Sequence, residues 1–350
     1  MTMKKKNKQP KHRFQRFINF LKRFPTLIVL AIFVPTLITS MRYVGTLEYR
    51  YSNLSFYGQD WSVNEETFEI TAIRKRTSVF QTSSLFSYQG GVCYQNYYVI
   101  CADSFESIII YDTERLEKGP IHIVSTNMIV SDWHCNQIFF GTEFYSAHDK
   151  FPLLYVCMEH PGVLATYVFR IYQLGIDYQV TQIQRIQLVF DDDKGPLYFP
   201  NAYIDYDDES ILYGGYTKNT YMREDDNYLR YYRFEIPDYR LSDVEFLTSK
   251  TIETFELPSE TATQGGFINN SYFYQTFSFG SKTDPLRTPK VRIVTLNTHK
   301  IIKQYDNLYE SFGVAEEFEH LAVDLQGKLY SLGNPFTIYE FEYKFSLPSK

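Results

Sequence analysis

From Thr46 onward the chain shows no convincing amphipathic helix, and this rules out most fold classes at once. Short β-branched and aromatic runs recur instead, among them Tyr97–Cys101, Ser107–Tyr111, Leu153–Cys157, Thr166–Tyr172, Tyr228–Ile236, Tyr272–Phe277 and Val291–Leu296. Clusters of Gly, Asn, Asp and Pro separate them. Short strands punctuated by turn residues mark an all-β protein. More than 300 residues of that pattern in one run argue for a repeated unit.

The unit can be aligned by eye. Residues 90–114 and 265–280 both follow a Gln, so that Gln-Gly-Gly stands at Gln89–Gly91 and again at Gln264–Gly266. Each continues as a strand, an Asn-containing turn, an aromatic strand, a loop and an apolar strand. Weaker copies begin near His134, Asn201 and Glu316, so the starts fall near 89, 134, 201, 264 and 316, with spacings of 45, 67, 63 and 52. Four strands per unit at about 40–50 residues is a propeller blade, here lengthened by loops. The last unit has three strands, and an open sheet edge invites aggregation. Thr67–Arg74 can supply the fourth strand. The expectation is a five-bladed β-propeller over residues 67–350, closed by a strand borrowed across the termini. Six blades is the alternative, if residues 46–88 hold a degenerate blade.

Charge is distributed unevenly. Residues 1–23 carry nine Lys and Arg and no acid. Subtracting those from 35 leaves 26 basic against 41 acidic groups in the other 327 residues, a net charge of −15. So acidic a body is a poor partner for a phosphate backbone, and nucleic acid is excluded as its ligand. Phe24–Met41 is an 18-residue stretch without charge, at the short end of what spans a bilayer, with Pro35 inside it. Basic residues precede it and only Arg42 follows closely, which places residues 1–23 in the cytoplasm and the body outside. An N-terminal membrane-anchor helix over 24–41, uncleaved, is the reading; a signal peptide cut after Ser40 is the alternative, although Ile38 stands where a small residue is preferred. Residues 42–66 read as a linker. The address is then the inner membrane, single-pass, with the C-terminal domain periplasmic or extracellular.

Some motifs carry a resemblance. They are Gln-Gly-Gly before a strand; Trp133-His134-Cys135-Asn136, followed later by Asp149–Val156; Val291–Thr298; and Gly313–Val323 with Gly327–Tyr330. Over roughly residues 80–345 the chain resembles extracytoplasmic bacterial β-propeller proteins. It is similar to the loosely grouped TolB-like propellers of Bacteroides relatives, and to the propellers of teichoic-acid synthesis protein C and phage receptor-binding proteins. Such groups often carry Glu-Pro-Glu-Gly in the last blade. Here Glu317-Phe318-Glu319-His320 keeps both carboxylates and replaces the Pro and Gly.

The innermost strands of a propeller line its axis, and the residues at their starts face one mouth of the channel. Those residues are Gln89, His134, Asn136, Asn201, Gln264, Glu317, Glu319 and His320. Carboxylates, amides and imidazoles converging on one axis suit a sugar, a peptide end or a cation. A tight turn is the competing explanation for Gln-Gly. Tyr213, Tyr216, Tyr221 and Tyr228, in the unit that starts near Asn201, could add an aromatic stacking surface.

Other chemistry is absent from the pattern. There is no Gly-x-Ser-x-Gly, phosphate loop or dinucleotide fingerprint. Asp191–Asp193 and Asp205–Glu209 lack the EF-hand spacing and its Gly. Cys93, Cys101, Cys135 and Cys157 show no zinc spacing and read as buried strand residues; if a pair forms, Cys93–Cys101 is expected. No cofactor or metal is expected. The leading functional expectation is a non-catalytic binding propeller for a ligand, a glycan or an envelope partner. The alternative is a glycan-acting hydrolase or lyase using Glu317, Glu319 and His134. Residues two apart on a strand point the same way, about 6.5–7 Å apart, compatible with paired-carboxylate chemistry.

Overall fold

The computed structural model describes residues 68–79, 87–126, 134–160, 163–324, 326–334 and 336–345. The basic segment, the apolar stretch, the linker and Thr67 lie outside the described residues. Among the described residues no helix is long and apolar enough to cross a membrane.

The described chain forms five sheets, antiparallel but for one parallel pair, that follow one another along the sequence. The first strand, β1 (Phe68–Ser78), belongs to the last of them. Blade 1 is β2 (Tyr88–Tyr94), β3 (Tyr97–Ala102), β4 (Ser107–Asp112) and β5 (His122–Ser125). Blade 2 is β6 (His134–Phe140), β7 (Leu154–His160), β8 (Val163–Leu174) and β9 (Asp177–Val189). Blade 3 starts with β10 (Tyr198–Asp205), β11 (Ser210–Tyr216) and β12 (Tyr228–Glu235). The chain then leaves as β13 (Val244–Leu247), which pairs in parallel with β9 as a fifth strand of blade 2, and returns as β14 (Glu253–Pro258) to finish blade 3. Blade 4 is β15 (Thr263–Asn269), β16 (Tyr272–Phe277), β17 (Lys290–Thr295) and β18 (Lys300–Tyr305). Blade 5 has a broken inner strand, β19 (Glu317–Phe318) and β20 (Ala322–Val323), then β21 (Leu329–Asn334) and β22 (Thr337–Phe345).

The ring closes as the strand count requires. β1 lies antiparallel along β22, from Phe68 opposite Phe345 to Ser78 opposite Thr337. Its apolar anchors Phe68 and Ile70 are buried among residues of blades 4 and 5. This corrects the six-bladed alternative, because the strand before Tyr88 that a sixth blade would need completes blade 5 instead. The long spacings also find their cause. Blade 2 has an extended β8–β9 hairpin, and the unit near Asn201 carries the excursion to β13.

Outer strands are the least buried, as the propeller demands. Every residue of β2 is buried, whereas outer β18 is intermediate to exposed. Tyr dominates the fully buried large side chains. Their hydroxyls end between blades rather than at the rim: Tyr213 donates to Thr166 Oγ1 at 2.9 Å, and Gln275 donates to the Tyr231 hydroxyl at 2.5 Å. A buried hydroxyl needs a partner, and the adjacent blade supplies it.

The Gln-Gly pairs are not tight turns. A Cβ on Gly90 would come within 2.6 Å of the Ile138 nitrogen, and one on Gly265 within 2.7 Å of the Glu319 carbonyl oxygen. These glycines let neighbouring inner strands approach at the axis of a small ring. The four cysteines are buried and in strands. Cys101 and Cys135 approach to 2.7 Å between sulfurs across blades 1 and 2, whereas Cys93, expected to face Cys101 if a pair forms, lies opposite Tyr98 in the β2–β3 register.

Candidate functional site

One local irregularity builds the site. The pairing of the inner strand with its neighbour slips at the same place in four blades: Tyr88/Gly91, Cys135/Gln137, Tyr198/Asn201 and Thr263/Gly266. Each slip is a β-bulge with one extra residue on the inner strand, and bulges re-aim side chains. Gln89, Asn136, Phe199 and Gln264 lie in these bulges, and Asn201 follows one. In blade 5 the inner strand breaks at the equivalent point, between β19 and β20.

The side chains so aimed form a chain of hydrogen bonds from blade to blade. Asn136 Nδ2 donates to the Pro200 carbonyl at 2.7 Å, and Asn201 Nδ2 to the Gln264 carbonyl at 2.5 Å. Gln264 Nε2 donates to Glu317 at 2.5 Å. His320 Nδ1 donates to the Gln89 carbonyl at 3.0 Å, which joins blade 5 to blade 1. His134 Nδ1 is ion-paired with Asp103, which joins blade 2 to blade 1.

Six of the eight expected residues, Gln89, His134, Asn136, Asn201, Gln264 and Glu317, line one cavity of about 220 Å³. Thr263, Glu159, Phe199, Tyr221 and Phe279 complete its wall. A wider recess of about 500 Å³ shares Phe279 and Glu317 and extends over Glu316 and Asn334. Gln137, the neighbour of Asn136, lines a separate, mostly apolar hollow of about 30 Å³ instead. Its amide donates to the Gly266 carbonyl at 3.2 Å, linking the inner strands of blades 2 and 4.

Glu319 and His320 depart from the expectation. Both are fully buried and neither lines the cavity. His320 Nε2 accepts from the Tyr98 hydroxyl at 2.5 Å while Nδ1 donates to a carbonyl, so the ring is neutral with both nitrogens used. Burial pulls its pKa down to about 3. Glu319 Oε1 has no hydrogen-bond partner. Burial first, and then the charge of Glu317, push its carboxyl well above the usual range. A carboxyl raised in this way binds its proton more tightly folded than unfolded, so its ionisation costs stability as pH rises above the unfolded value. Glu319→Gln should therefore raise the melting temperature, more at mildly alkaline than at mildly acidic pH. A variant with an unchanged pH profile of melting would contradict this.

The cavity carboxylates are perturbed in the same sense. Glu159 is raised by burial, opposed by the Asn136 hydrogen bond and the charge of His134. Glu317 is raised by burial, opposed by Asn334, Arg287 and His134. For His134, burial acts downward, but the Asp103 hydrogen bond and the charges of Asp103, Glu159 and Glu317 outweigh it and leave the pKa raised. The site is a pocket lined by two carboxylates and one imidazole.

Of the four tyrosines expected to form a stacking surface, Tyr213 and Tyr216 are core residues. Tyr228 is exposed, and Tyr221 alone reaches the cavity. Sequence reasoning missed Glu159 at the end of β7, Asp103 in the β3–β4 turn, and Phe199 and Phe279. The signal that could have found Phe199 is its place just before Asn201, within the repeated strand start. Away from the cavity, His122 packs edge-on against Tyr178, and His299 is stacked on Phe255 at 4.0 Å and paired with Glu253.

No protein-family model and no curated protein matches the chain. Solved structures similar to it are β-propellers. Glutaminyl cyclase from Myxococcus xanthus is similar at 10% identity and a TM-score of 0.48, over 79% of this chain and 98% of that one. A glucose dehydrogenase reaches 8% and 0.43, over 77% and 98%. The WD40 propeller domain of Doa1 reaches 7% and 0.39, over 78% and 97%. The five-bladed assignment rests on the strand order of the chain itself.

Proposed function

We propose that this chain is a membrane-tethered, extracytoplasmic five-bladed propeller that binds a small polar ligand in its axial cavity. The observation that carries the reading is the cavity wall: residues from all five blades meet there, and Asn201 Oδ1, almost wholly buried, has no hydrogen-bond partner. Buried polar atoms need partners, and a ligand can supply one. The adjoining recess suits a ligand longer than one sugar or amino acid, bound at its end. The tether rests on the basic segment and apolar stretch of residues 1–41, and the extracytoplasmic address on their charge order. Kinship with the TolB-like propellers belongs to the same reading.

Hydrolysis of a glycan by Glu317 and Glu319 is disfavoured, since paired-carboxylate chemistry needs both groups on the substrate cavity. Glu319 is outside the lining. The pair that lines it is Glu159 and Glu317.

A thermal-shift screen of the full-length protein against sugars, amino acids, short peptides and metal ions tests the proposal. Glu317→Gln should weaken binding of a hit by about 1–3 kcal/mol, the cost of leaving a buried polar partner unmade, and His134→Ala, at a half-exposed side chain, by about 0.5–1.5 kcal/mol, the net worth of a hydrogen bond. Folding should change little. Binding that survives the double change would place the ligand elsewhere and end the proposal.

A further inference from the structure

We infer that the axial cavity selects a small molecule bearing a positively charged nitrogen, a primary or quaternary ammonium. This rests on the reading of the cavity as a ligand site and adds the charge class of what enters it.

The first support is charge. Glu159 and Glu317 both line the cavity, and no Lys or Arg does. The imidazole of His134 is paired with Asp103, so its protonation leaves that pair without net charge. An anion would meet two carboxylates, and the Arg287 guanidinium, outside the lining, is already set over the Phe279 ring and acts on Glu317.

The second is an aromatic wall. Phe199 and Tyr221 stack with centroids 3.5 Å apart, and Tyr221 meets Phe279 edge-on at 5.6 Å. Ring faces attract cations within about 6 Å of the centroid, and alkylammonium groups are recognised by rings together with carboxylates. Phe279 already carries one cation, the Arg287 guanidinium, 5.2 Å from its centroid. Phe199 holds its place at a backbone φ of 51°, a conformation that costs a non-glycine residue energy and persists only where its surroundings impose it.

The third is donor–acceptor balance. Asn201 lines the cavity, and its buried Oδ1, an acceptor without a partner, calls for an N–H or O–H. A primary ammonium brings three donors and the charge. A bare metal ion fits less well. Among the described residues no three His, Cys, Asp or Glu side chains are grouped to hold one.

Isothermal titration of the full-length protein with matched probes tests the inference: choline, D-glucosamine and alaninamide carry the ammonium, N-acetylglucosamine is neutral and glucuronate is anionic. At least one ammonium probe should bind about tenfold or more tighter than the neutral and anionic ones. The ranking within the ammonium set separates a quaternary headgroup, an amino sugar and a peptide amino end. Glu317→Gln and Glu159→Gln should each lower that affinity about 5- to 30-fold. Tyr221→Leu should lower it about fivefold and Tyr221→Phe should not, because only the ring face is needed. Circular-dichroism melts of each variant separate lost binding from lost folding. Equal or tighter binding of N-acetylglucosamine or glucuronate, abolished by His134→Ala, would overturn the ammonium class and leave the cavity reading standing. Absence of binding by every probe at millimolar concentration would overturn both.

Discussion

Deleting residues 43–79 should leave the chain unable to fold to its native state. The segment contributes β1, the outer strand of blade 5, paired along the length of β22. Its removal exposes the far edge of β22 and takes Phe68 and Ile70 out of a core they share with Tyr274, Phe318 and Phe341. Burying two such side chains stabilises by about 3–6 kcal/mol, against a typical total of about 5–15 kcal/mol. The strand also ties blade 5 to blade 4, because Ile70 N donates to the Tyr305 hydroxyl at 2.9 Å. Loss of the strand thus removes the pairing across the termini that closes blade 5. Phe68→Ala, which keeps the strand, should cost about 3–5 kcal/mol in urea denaturation. A deletion variant with the wild-type melting temperature would show that closure contributes little.

Glu260→Ala should be the most damaging single polar substitution. Glu260 is buried between blades 3 and 4 and ion-paired with Lys290 at 2.9 Å, both side chains about 5% exposed or less. It also accepts from Gln304 at 3.1 Å and from Arg223 at 3.2 Å. Nearby Arg292 is fully buried, with two guanidinium nitrogens lacking hydrogen-bond partners. Burial pulls its pKa down, and Glu260 is among the groups that support its charge. Removing the carboxylate leaves buried cations without compensation, which costs about 3–5 kcal/mol. Lys290→Met should cost less, since Glu260 keeps Arg223 and Gln304. Equal losses for the two variants, or a loss under about 1 kcal/mol for Glu260→Ala, would show that the cluster is hydrated and weak.

Local pattern made the blades legible. Strand alternation and turn residues act over a few positions, so Tyr97–Cys101 and Tyr272–Phe277 could be read as strands without knowing their neighbours. The missing strand after the last unit was equally legible, because an unpaired edge is a cost that can be counted along the chain. The site was legible where the repeat itself aims it. Gln89, Asn136 and Gln264 occupy the bulge at the start of successive inner strands, and repetition brings equivalent positions to one axis. Glu319 and His320 follow the same rule in sequence, yet the break between β19 and β20 turns them into the packed interior.

Glu159, Asp103, Tyr221 and Phe279 lie beyond what periodicity reaches. They come from a second-strand end, a turn and two loops, and only the closed ring brings them against the inner-strand starts. Sequence alone determined the fold class, the strand that closes the last blade and most of the axial residues, because each follows from a repeat acting through short-range strand physics; the choice of five blades over six came from the strand pairing. Tertiary structure alone decided which polar groups face the cavity and which are sealed beside it. It also decided that an aromatic wall stands beside the carboxylates, because burial and long-range contact are properties of the closed ring.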